Sequence, residues 1–346
     1  MTAPSSLPRI DLHLTGEQMD VHTMVDLAVH AEATGFGGLW VAEAFRDSFV
    51  PLAAIAERTS SIEIGNNVAQ WTRSVPNMEL AAGDLAELSG GRFVLGVGST
   101  TRAWNEDWHG ITYDRPLARM REYVAAIRAL WRADAITPVD VDGEVFRIRN
   151  YLRFNGPLQY DVPIAFGVSR KAMARLTGEI ADRAHFNACL SPSYVTHTLL
   201  PELAAGREAA GRPADAVRVG MLTITAVAED EREAVRLARH QLGFYVGVAD
   251  YFAGLWAHHG LSAEHDRVQE LFRSGDVDGA IAAVPDEAVA AMTIAGDPDS
   301  VRARFADYAG TADYVMLYSP SFRLRKDEIE RNYHAIVEAF GHPAQT

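Results

Sequence analysis

The stretch that decides the fold is IEIGNNVAQWTRSVPNMELAAGDLAELSGGRFVLGVGST, from Ile62 to Thr100. An apolar run over 62–69 predicts a strand, and a second run over 93–97 predicts another. A helix is predicted between them, over 76–88, because its apolar residues fall on one helical face and a glycine pair follows its last residue. Strand, helix and strand in direct succession form the unit from which parallel sheets are built.

The same alternation continues on both sides of this stretch. Eight short apolar strands, each followed by a helix, predict a (β/α)8 TIM barrel. A doubly wound open sheet is the alternative, which favours fewer strands and a glycine-rich nucleotide turn near the start. We expect a single TIM-barrel domain over 1–346, with insertions at about 134–160 and 244–293. The other strands are predicted over 10–14, 38–42, 162–166, 184–187, 218–227 and 314–318, and the other helices over 18–34, 50–58, 116–131, 169–180, 194–211, 231–242, 297–309 and 326–340.

The composition excludes several classes of protein. The 346 residues include 32 Lys plus Arg and 46 Asp plus Glu, and the net charge of −14 makes the chain a poor partner for nucleic acid. No apolar run is long enough to span a membrane, so we expect no membrane segment. The single cysteine, Cys189, allows no intrachain disulfide, which fits a cytoplasmic protein. His258, His259 and His265 lack the spacing of a metal-ligand pair on a helix, so we expect no metal site.

Residues after the predicted strands are candidates for a binding site, since TIM-barrel sites lie at the carboxyl ends of the strands. The segment Gly167-Val168-Ser169-Arg170-Lys171 follows one strand and opens a helix. Backbone N–H groups, a hydroxyl and two cations at a helix start suit a phosphate, although a solvated helix cap explains the same residues. Gly96 and Gly98 either let a flat ring or a phosphate approach or relieve crowding at the barrel rim.

The loop after the strand at 93–97 is a further candidate, because it reads Trp104-Asn105-Glu106-Asp107-Trp108-His109. The two tryptophans are suited to flank a planar ring, and Asn105 or His109 to hydrogen-bond its carbonyl edge. The alternative is that both tryptophans are half-buried and only anchor a long loop.

Acid–base chemistry points to three residues near strand ends. Glu43 ends the second predicted strand and is our first candidate for proton transfer, followed by His13 on the first strand and His185 on the sixth. Each of these residue types also occurs in purely structural roles. Asp11 lies on the first strand, where it is expected to face the barrel interior.

The chain resembles the luciferase-like flavin and deazaflavin oxidoreductases. The resemblance rests on Thr72-Arg73-Ser74-Val75-Pro76, on the run from Leu88 to Gly98 (LSGGRFVLGVG), on 35–43 (GFGGLWVAE) and on 178–182 (GEIAD). It covers essentially the whole chain and implies a barrel that holds FMN or coenzyme F420 at the carboxyl ends of its strands. It also implies a non-prolyl cis peptide in a bulge after the third strand, which corresponds to Asn67-Val68 here.

The function that this resemblance implies first is that of a coenzyme F420-dependent oxidoreductase, which transfers a hydride between the deazaflavin and a small organic substrate. The alternatives are an FMN-dependent luciferase-like monooxygenase and a non-catalytic barrel that binds a ligand. A homodimer is a family expectation. The residues expected to contact the cofactor are Asp11, Asn66, Asn67, Val68, Gly98, Asn105, His109, Gly167, Val168, Ser169 and Arg170.

Overall fold

A computed structural model describes residues 7–342 and shows a closed barrel of eight parallel strands. The barrel order is β1–β2–β3–β5–β8–β9–β10–β12, and β12 pairs back with β1, which confirms the predicted (β/α)8 TIM barrel. The strands are β1 (Arg9–Leu14), β2 (Gly38–Val41), β3 (Glu63–Asn66), β4 (Ala69–Gln70), β5 (Phe93–Gly98), β6 (Val139–Asp142), β7 (Arg147–Tyr151), β8 (Ile164–Val168), β9 (Arg183–Phe186), β10 (Arg218–Val227), β11 (Ile294–Gly296) and β12 (Tyr314–Tyr318).

Helices follow the barrel strands and cover the sheet. The predicted bounds 116–131 and 326–340 agree with the structure, whereas the helix predicted over 194–211 is divided by a π-helical turn over Val195–Leu199. The helices are α1 (Val21–Ala33), α2 (Phe49–Arg58), α3 (Val75–Leu88), α4 (Pro116–Trp131), α5 (Lys171–Ile180), α6 (Pro192–Tyr194), α7 (Leu200–Ala209), α8 (Glu231–Val248), α9 (Ala253–His258), α10 (Ser262–Arg273), α11 (Val277–Ala282), α12 (Asp286–Met292), α13 (Pro298–Phe305) and α14 (Lys326–Phe340).

The third strand is interrupted, in contrast to the continuous strand predicted over 62–69. β3 ends at Asn66, the peptide bond between Asn67 and Val68 is cis, and β4 then resumes pairing with β5. The cis bond lies where the sequence resemblance placed it, so this prediction is confirmed. The bulge brings residues 67 and 68 to the carboxyl end of the barrel.

Two insertions depart from the regular alternation. The segment predicted at 134–160 contains the antiparallel hairpin β6–β7. The helical insertion begins later than the predicted position 244, because α8 continues to Val248. The ring of Phe244 on this extension stacks on Phe322 with centroids 4.4 Å apart, so the last turns of α8 pack against the loop that follows β12.

The amino-terminal end of the barrel interior is filled by an ion cluster. Arg9 donates to both Asp11 and Glu63, and Arg183 donates to the two carboxylate oxygens of Glu63 at 2.6 and 2.7 Å. Burial opposes ionisation of Glu63, but its arginine partners outweigh this effect and lower the pKa of Glu63 to about 2. The fully buried rings of Trp40 and Tyr314 stack above this cluster at 5.7 Å. The interior is therefore packed and leaves only the carboxyl-terminal end for a ligand.

Across residues 7–342, no helix combines the length and apolarity needed to cross a membrane.

Candidate functional site

Buried polar atoms without a protein partner gather at the carboxyl ends of the barrel strands. Polar atoms inside proteins are nearly always hydrogen-bonded, so such a group indicates that a ligand or water completes the bonding there. Of the 12 unpartnered buried side-chain atoms found within the described residues, six lie on residues in or just after β1, β3, β4, β9 and β12. They belong to His13, Thr15, Asn66, Gln70, Asn187 and Tyr318.

The carboxyl-terminal end of the barrel is called the opening below. The bulge at residues 67 and 68 forms its floor. A Cβ atom at Gly98 would lie 2.3 Å from a methyl group of Val68, and one at Gly167 would lie 3.4 Å from both Val68 methyl groups. A Cβ atom at Gly96 would meet the carbonyl oxygen of Asn66 at 2.0 Å. These glycines therefore make room for the bulge itself. The expectation that Gly98 admits a flat ring directly is corrected accordingly, and Val68 is the residue that occupies this space.

Two histidines on barrel strands, His13 and His185, hydrogen-bond to Asn67. The Nε2–H of His13 donates to the backbone carbonyl of Asn67 at 3.3 Å. His185 lies 3.0 Å from the side-chain oxygen of Asn67 through Nδ1 and 2.7 Å from the hydroxyl of Tyr314 through Nε2. A chain of hydrogen bonds thus runs from the barrel interior to the bulge, with the Tyr314 hydroxyl donating to His185 and His185 donating to Asn67.

Burial makes both histidines poor proton donors to a substrate. Desolvation lowers the pKa of His13 to about 4 and lowers the pKa of His185 well below its ordinary value, with Arg183 adding to the shift of His185. Both imidazoles are therefore neutral, and the N–H of each is used by Asn67. In this arrangement both histidines hydrogen-bond to the bulge, and their role in proton transfer stays a prediction.

Glu43 lies at the end of β2, as predicted, but it is engaged by other protein groups. Arg73 Nε lies 3.0 Å and 3.2 Å from its two carboxylate oxygens, and the Ser48 hydroxyl donates to it at 2.8 Å. The backbone N–H of Gln70 also points to this carboxylate, at 3.3 Å. Because Gln70 is in β4, Glu43 ties the loop after β2 to the strand after the bulge. This network engages both carboxylate oxygens of Glu43, and its role in proton transfer stays a prediction.

The residues of the predicted anion site lie at the start of α5, and anion binding there stays a prediction. No side chain caps this helix, whose first residue is Lys171. Ser169, Arg170 and Lys171 line a cavity of about 320 Å³ together with Tyr194, Asp250 and Tyr251. Arg170 lies over the Tyr251 ring, 5.1 Å from its centroid, and 3.5 Å from the Asp250 carboxylate. Val168 itself is buried in the hydrophobic core, so only its backbone is available to a ligand.

The loop after β5 is fixed in place by its buried residue, Asn105. The Asn105 side-chain oxygen accepts from the Trp71 indole at 2.6 Å, and its amide donates to the carbonyls of Ser99 and Thr101, both at 2.8 Å. These bonds use both N–H groups of the Asn105 amide, so none is left for a cofactor carbonyl in this arrangement, and its cofactor contact stays a prediction. His109 is exposed just after the π-helical turn over Trp104–Trp108 and has no part in the buried cluster.

Asp11 lies on β1 and is fully buried. Its two carboxylate oxygens accept from Arg9 at 2.8 Å, and one of them also accepts from the Trp40 indole at 2.8 Å. It belongs to the ion cluster at the amino-terminal end of the barrel. Both of its carboxylate oxygens are engaged there, and its assignment as a cofactor contact stays a prediction.

One titratable residue at the opening was missed by the sequence reasoning. Glu17 comes three residues after the end of β1 and is half-buried. Tyr245 of α8 is also part of this side of the opening, next to Tyr318 of β12. The signal was available, since Glu17 is the first carboxylate after the first strand, but it belongs to no motif. No group of three or more His, Cys, Asp or Glu able to hold a metal ion occurs within residues 7–342.

The barrel is packed, its floor is held by hydrogen bonds, and unpartnered polar atoms lie at its carboxyl end. These features are typical of barrel proteins that bind a small ligand at the strand ends. A family model described as luciferase-like monooxygenase matches residues 4–314, and the chain belongs to this family. The chain is 31% identical over 283 residues to 5,10-methylenetetrahydromethanopterin reductase of Archaeoglobus fulgidus, a match that covers 78% of this chain and 81% of the relative.

Solved structures with the same fold include proteins that use either cofactor. The coenzyme F420-dependent tetrahydromethanopterin reductase from Methanopyrus kandleri superposes with a TM-score of 0.80 at 22% identity and covers 97% of this chain and 99% of that chain. The oxygenating constituent of 3,6-diketocamphane monooxygenase from Pseudomonas putida, solved with FMN, gives a TM-score of 0.67 at 16% identity and covers 97% and 98%. Both likenesses show a shared fold.

Proposed function

We propose that the chain is a coenzyme F420-dependent oxidoreductase that transfers a hydride between the deazaflavin and a small organic substrate. The observation that carries this proposal is the set of unpartnered buried polar atoms around the Asn67–Val68 floor. A flat, polar-edged ring is the kind of ligand that such an arrangement satisfies, because its face packs on the Val68 side chain while its edge meets donors and acceptors.

The residues present fit this cofactor in two places. Val68 and the braced Asn67 would support the ring, and the unpartnered Asn187 oxygen would accept a hydrogen bond from it. Ser169 and Arg170, with the uncapped start of α5, would hold a phosphate. When bound, the deazaflavin supplies the hydride, and the protein holds the ring and the substrate in reach of each other.

Direct titration of the purified protein with coenzyme F420 and, separately, with FMN tests this proposal, with binding followed by fluorescence. We expect tight binding of F420 and weak binding of FMN. Tight binding of FMN alone would select the monooxygenase alternative, and binding of neither would select a non-catalytic barrel.

Removal of the anion site should weaken cofactor binding without changing the chemical step. We expect the double substitution Ser169→Ala and Arg170→Ala to raise the Kd for F420 about tenfold, because charge-assisted hydrogen bonds to a phosphate are lost. Arg267→Ala, an exposed arginine of the helical insertion, is the matched control and should leave the Kd unchanged. A change in kcat alone, at constant Kd, would remove the phosphate assignment.

A further inference from the structure

The cavity that contains the predicted anion site is lined by a carboxylate as well as by two cations. The lining consists of Ser169 and Arg170 from the loop after β8, Lys171 from α5, Tyr194 from α6, and Asp250 and Tyr251 from the helical insertion. A negative group beside a bound anion repels it and lowers its affinity. The presence of Asp250 in this cavity therefore needs an explanation.

Asp250 contacts the cation that is expected to bind the anion. The Arg170 guanidinium donates to the Asp250 carboxylate at 3.5 Å and lies over the ring of Tyr251, 5.1 Å from its centroid. The side chain of Arg170 is 64% exposed and that of Asp250 is 88% exposed. An ion pair so open to water contributes little to the stability of the fold, so its main effect is on the charge of the cavity.

The groups that line the cavity leave it with one net positive charge. Arg170 and Lys171 are cationic, and Asp250 is anionic. Burial raises the pKa values of Tyr194 and Tyr251, the latter to about 12, so both phenols are neutral. Asp250 thus cancels one of the two positive charges that would otherwise act on a bound anion.

A fixed carboxylate discriminates between anions according to their charge. The free energy of repulsion is proportional to the charge on the ligand, so a dianion is opposed twice as strongly as a monoanion at the same place. A phosphomonoester carries close to two negative charges above neutral pH, whereas a phosphodiester carries one. The factor by which Asp250 weakens binding of a monoester is therefore the square of the factor for a diester.

We propose that Asp250 is a specificity-determining residue that shifts the preference of the anion site from phosphomonoesters toward phosphodiesters. This inference rests on the proposed function, because the two candidate cofactors differ in this group. Coenzyme F420 carries its phosphate as a diester, and FMN carries its phosphate as a monoester. Asp250 therefore favours F420 over FMN through charge, without any contact to the ring.

The test compares Asp250→Asn and Asp250→Glu with the wild type and with Asp278→Asn. Asp278 is the matched control, because it is also an exposed aspartate of the insertion that is paired with an arginine, Arg323. The Kd values for F420, FMN and uncharged riboflavin are measured by calorimetry at pH 8 and low ionic strength. We expect Asp250→Asn to tighten binding of F420 about threefold and of FMN about tenfold, and to leave riboflavin unchanged. Asp250→Glu keeps the charge, so it should match the wild type, as should the control.

Two simple phosphate esters test the same rule without either cofactor. Dimethyl phosphate and methyl phosphate are titrated into isotope-labelled protein, and the amide NMR signals of residues 169–171 report binding. Asp250→Asn should tighten binding of methyl phosphate by about the square of the factor for dimethyl phosphate. Because Arg170 and Asp250 are exposed, added salt at about 0.5 M should bring both factors close to one.

The outcomes separate this inference from the proposed function. A wild-type protein that binds neither F420 nor FMN would contradict the proposed function, whereas the two methyl esters would still decide the role of Asp250. Unchanged or weaker binding of both esters in Asp250→Asn, or an equal gain for both, would overturn that role. The absence of any signal change at residues 169–171 with either ester would overturn it as well.

Discussion

At the scale of single residues, the partners of a side chain decide its role. His13 and His185 have the side chain most often used for proton transfer, yet each is buried and donates its N–H to Asn67. The sequence identifies residues that are able to do chemistry. It does not show their partners, because His185 and Asn67 are 118 residues apart in the chain.

The buried His13 makes stability depend on pH in a predictable direction. Its pKa is about 4 in the folded protein, against an ordinary value of 6.5. The unfolded chain therefore takes up a proton before the folded one does, and stability that is complete above pH 6.5 declines as the pH falls toward 4. At pH 5 the loss from this residue is about 2 kcal/mol.

Urea unfolding at pH 7 and at pH 5 measures this effect in the wild type and in His13→Gln. Glutamine keeps an N–H donor for the Asn67 carbonyl but does not titrate, so the variant should lose about 2 kcal/mol less between the two pH values. An equal loss in both proteins would show that His13 does not titrate differently in the folded state.

Gly96 and Gly98 of β5 should differ in whether Val68→Ala offsets the loss of stability caused by replacing the glycine with alanine. Gly98→Ala places a methyl group against the Val68 side chain, so we expect a cost of about 1–3 kcal/mol, part of which Val68→Ala should restore. Gly96→Ala meets the backbone oxygen of Asn66, which Val68→Ala does not move. Urea unfolding of the single and double variants checks this, and equal rescue at both positions would contradict it.

At the scale of elements, local sequence patterns predicted most of the fold. The bounds of β10, β12, α4 and α14 agree with those predicted, because apolar periodicity is strong in each. The errors occur where tertiary contacts decide. The third strand breaks at the bulge because the flanking glycines give the bulge room, and α8 extends past the predicted end because Phe244 packs on Phe322.

The hairpin β6–β7 is held by carboxylates on two helices. Glu122 of α4 accepts from backbone N–H groups of the hairpin turn, and Glu79 of α3 binds the return strand. Glu79 is fully buried and accepts from the Tyr151 hydroxyl and from Arg153, at 3.3 Å for the Arg153 Nε. Tyr151 is the last residue of β7, and Arg153 comes two residues later. This arrangement ties the return strand of the hairpin to a helix that covers the barrel.

Glu79→Gln should therefore loosen the return strand of the hairpin, while Glu122 still holds its turn. The substitution leaves the buried Arg153 without a counter-charge, so we expect a destabilisation of about 3–5 kcal/mol. Limited proteolysis should show cleavage within 134–160, and Glu87→Gln, on the exposed side of α3, should behave as the wild type. Resistance of the hairpin to proteolysis in Glu79→Gln would show that other contacts hold it.

At the scale of the whole molecule, the sequence predicted which end of the barrel carries the candidate site more reliably than it predicted which residues line that site. The barrel, the cis bulge and the family are confirmed. Asp11, Glu43 and Asn105 were placed near the correct strands, but their side chains are used by Arg9, Arg73 and Trp71. Strand ends are visible in a sequence pattern, whereas the direction in which a side chain points depends on neighbours far away in the chain.

The ion cluster of Arg9, Asp11, Glu63 and Arg183 has a consequence for kinetics. Together with Trp40 and Tyr314 it closes the barrel from the amino-terminal side, so ligands enter and leave through one opening. Two ligands that share one entrance and lie one above the other bind in a fixed order. The deeper ligand binds first and leaves last. For a cofactor on the Asn67–Val68 floor, initial-rate kinetics should follow an ordered scheme with the cofactor leading.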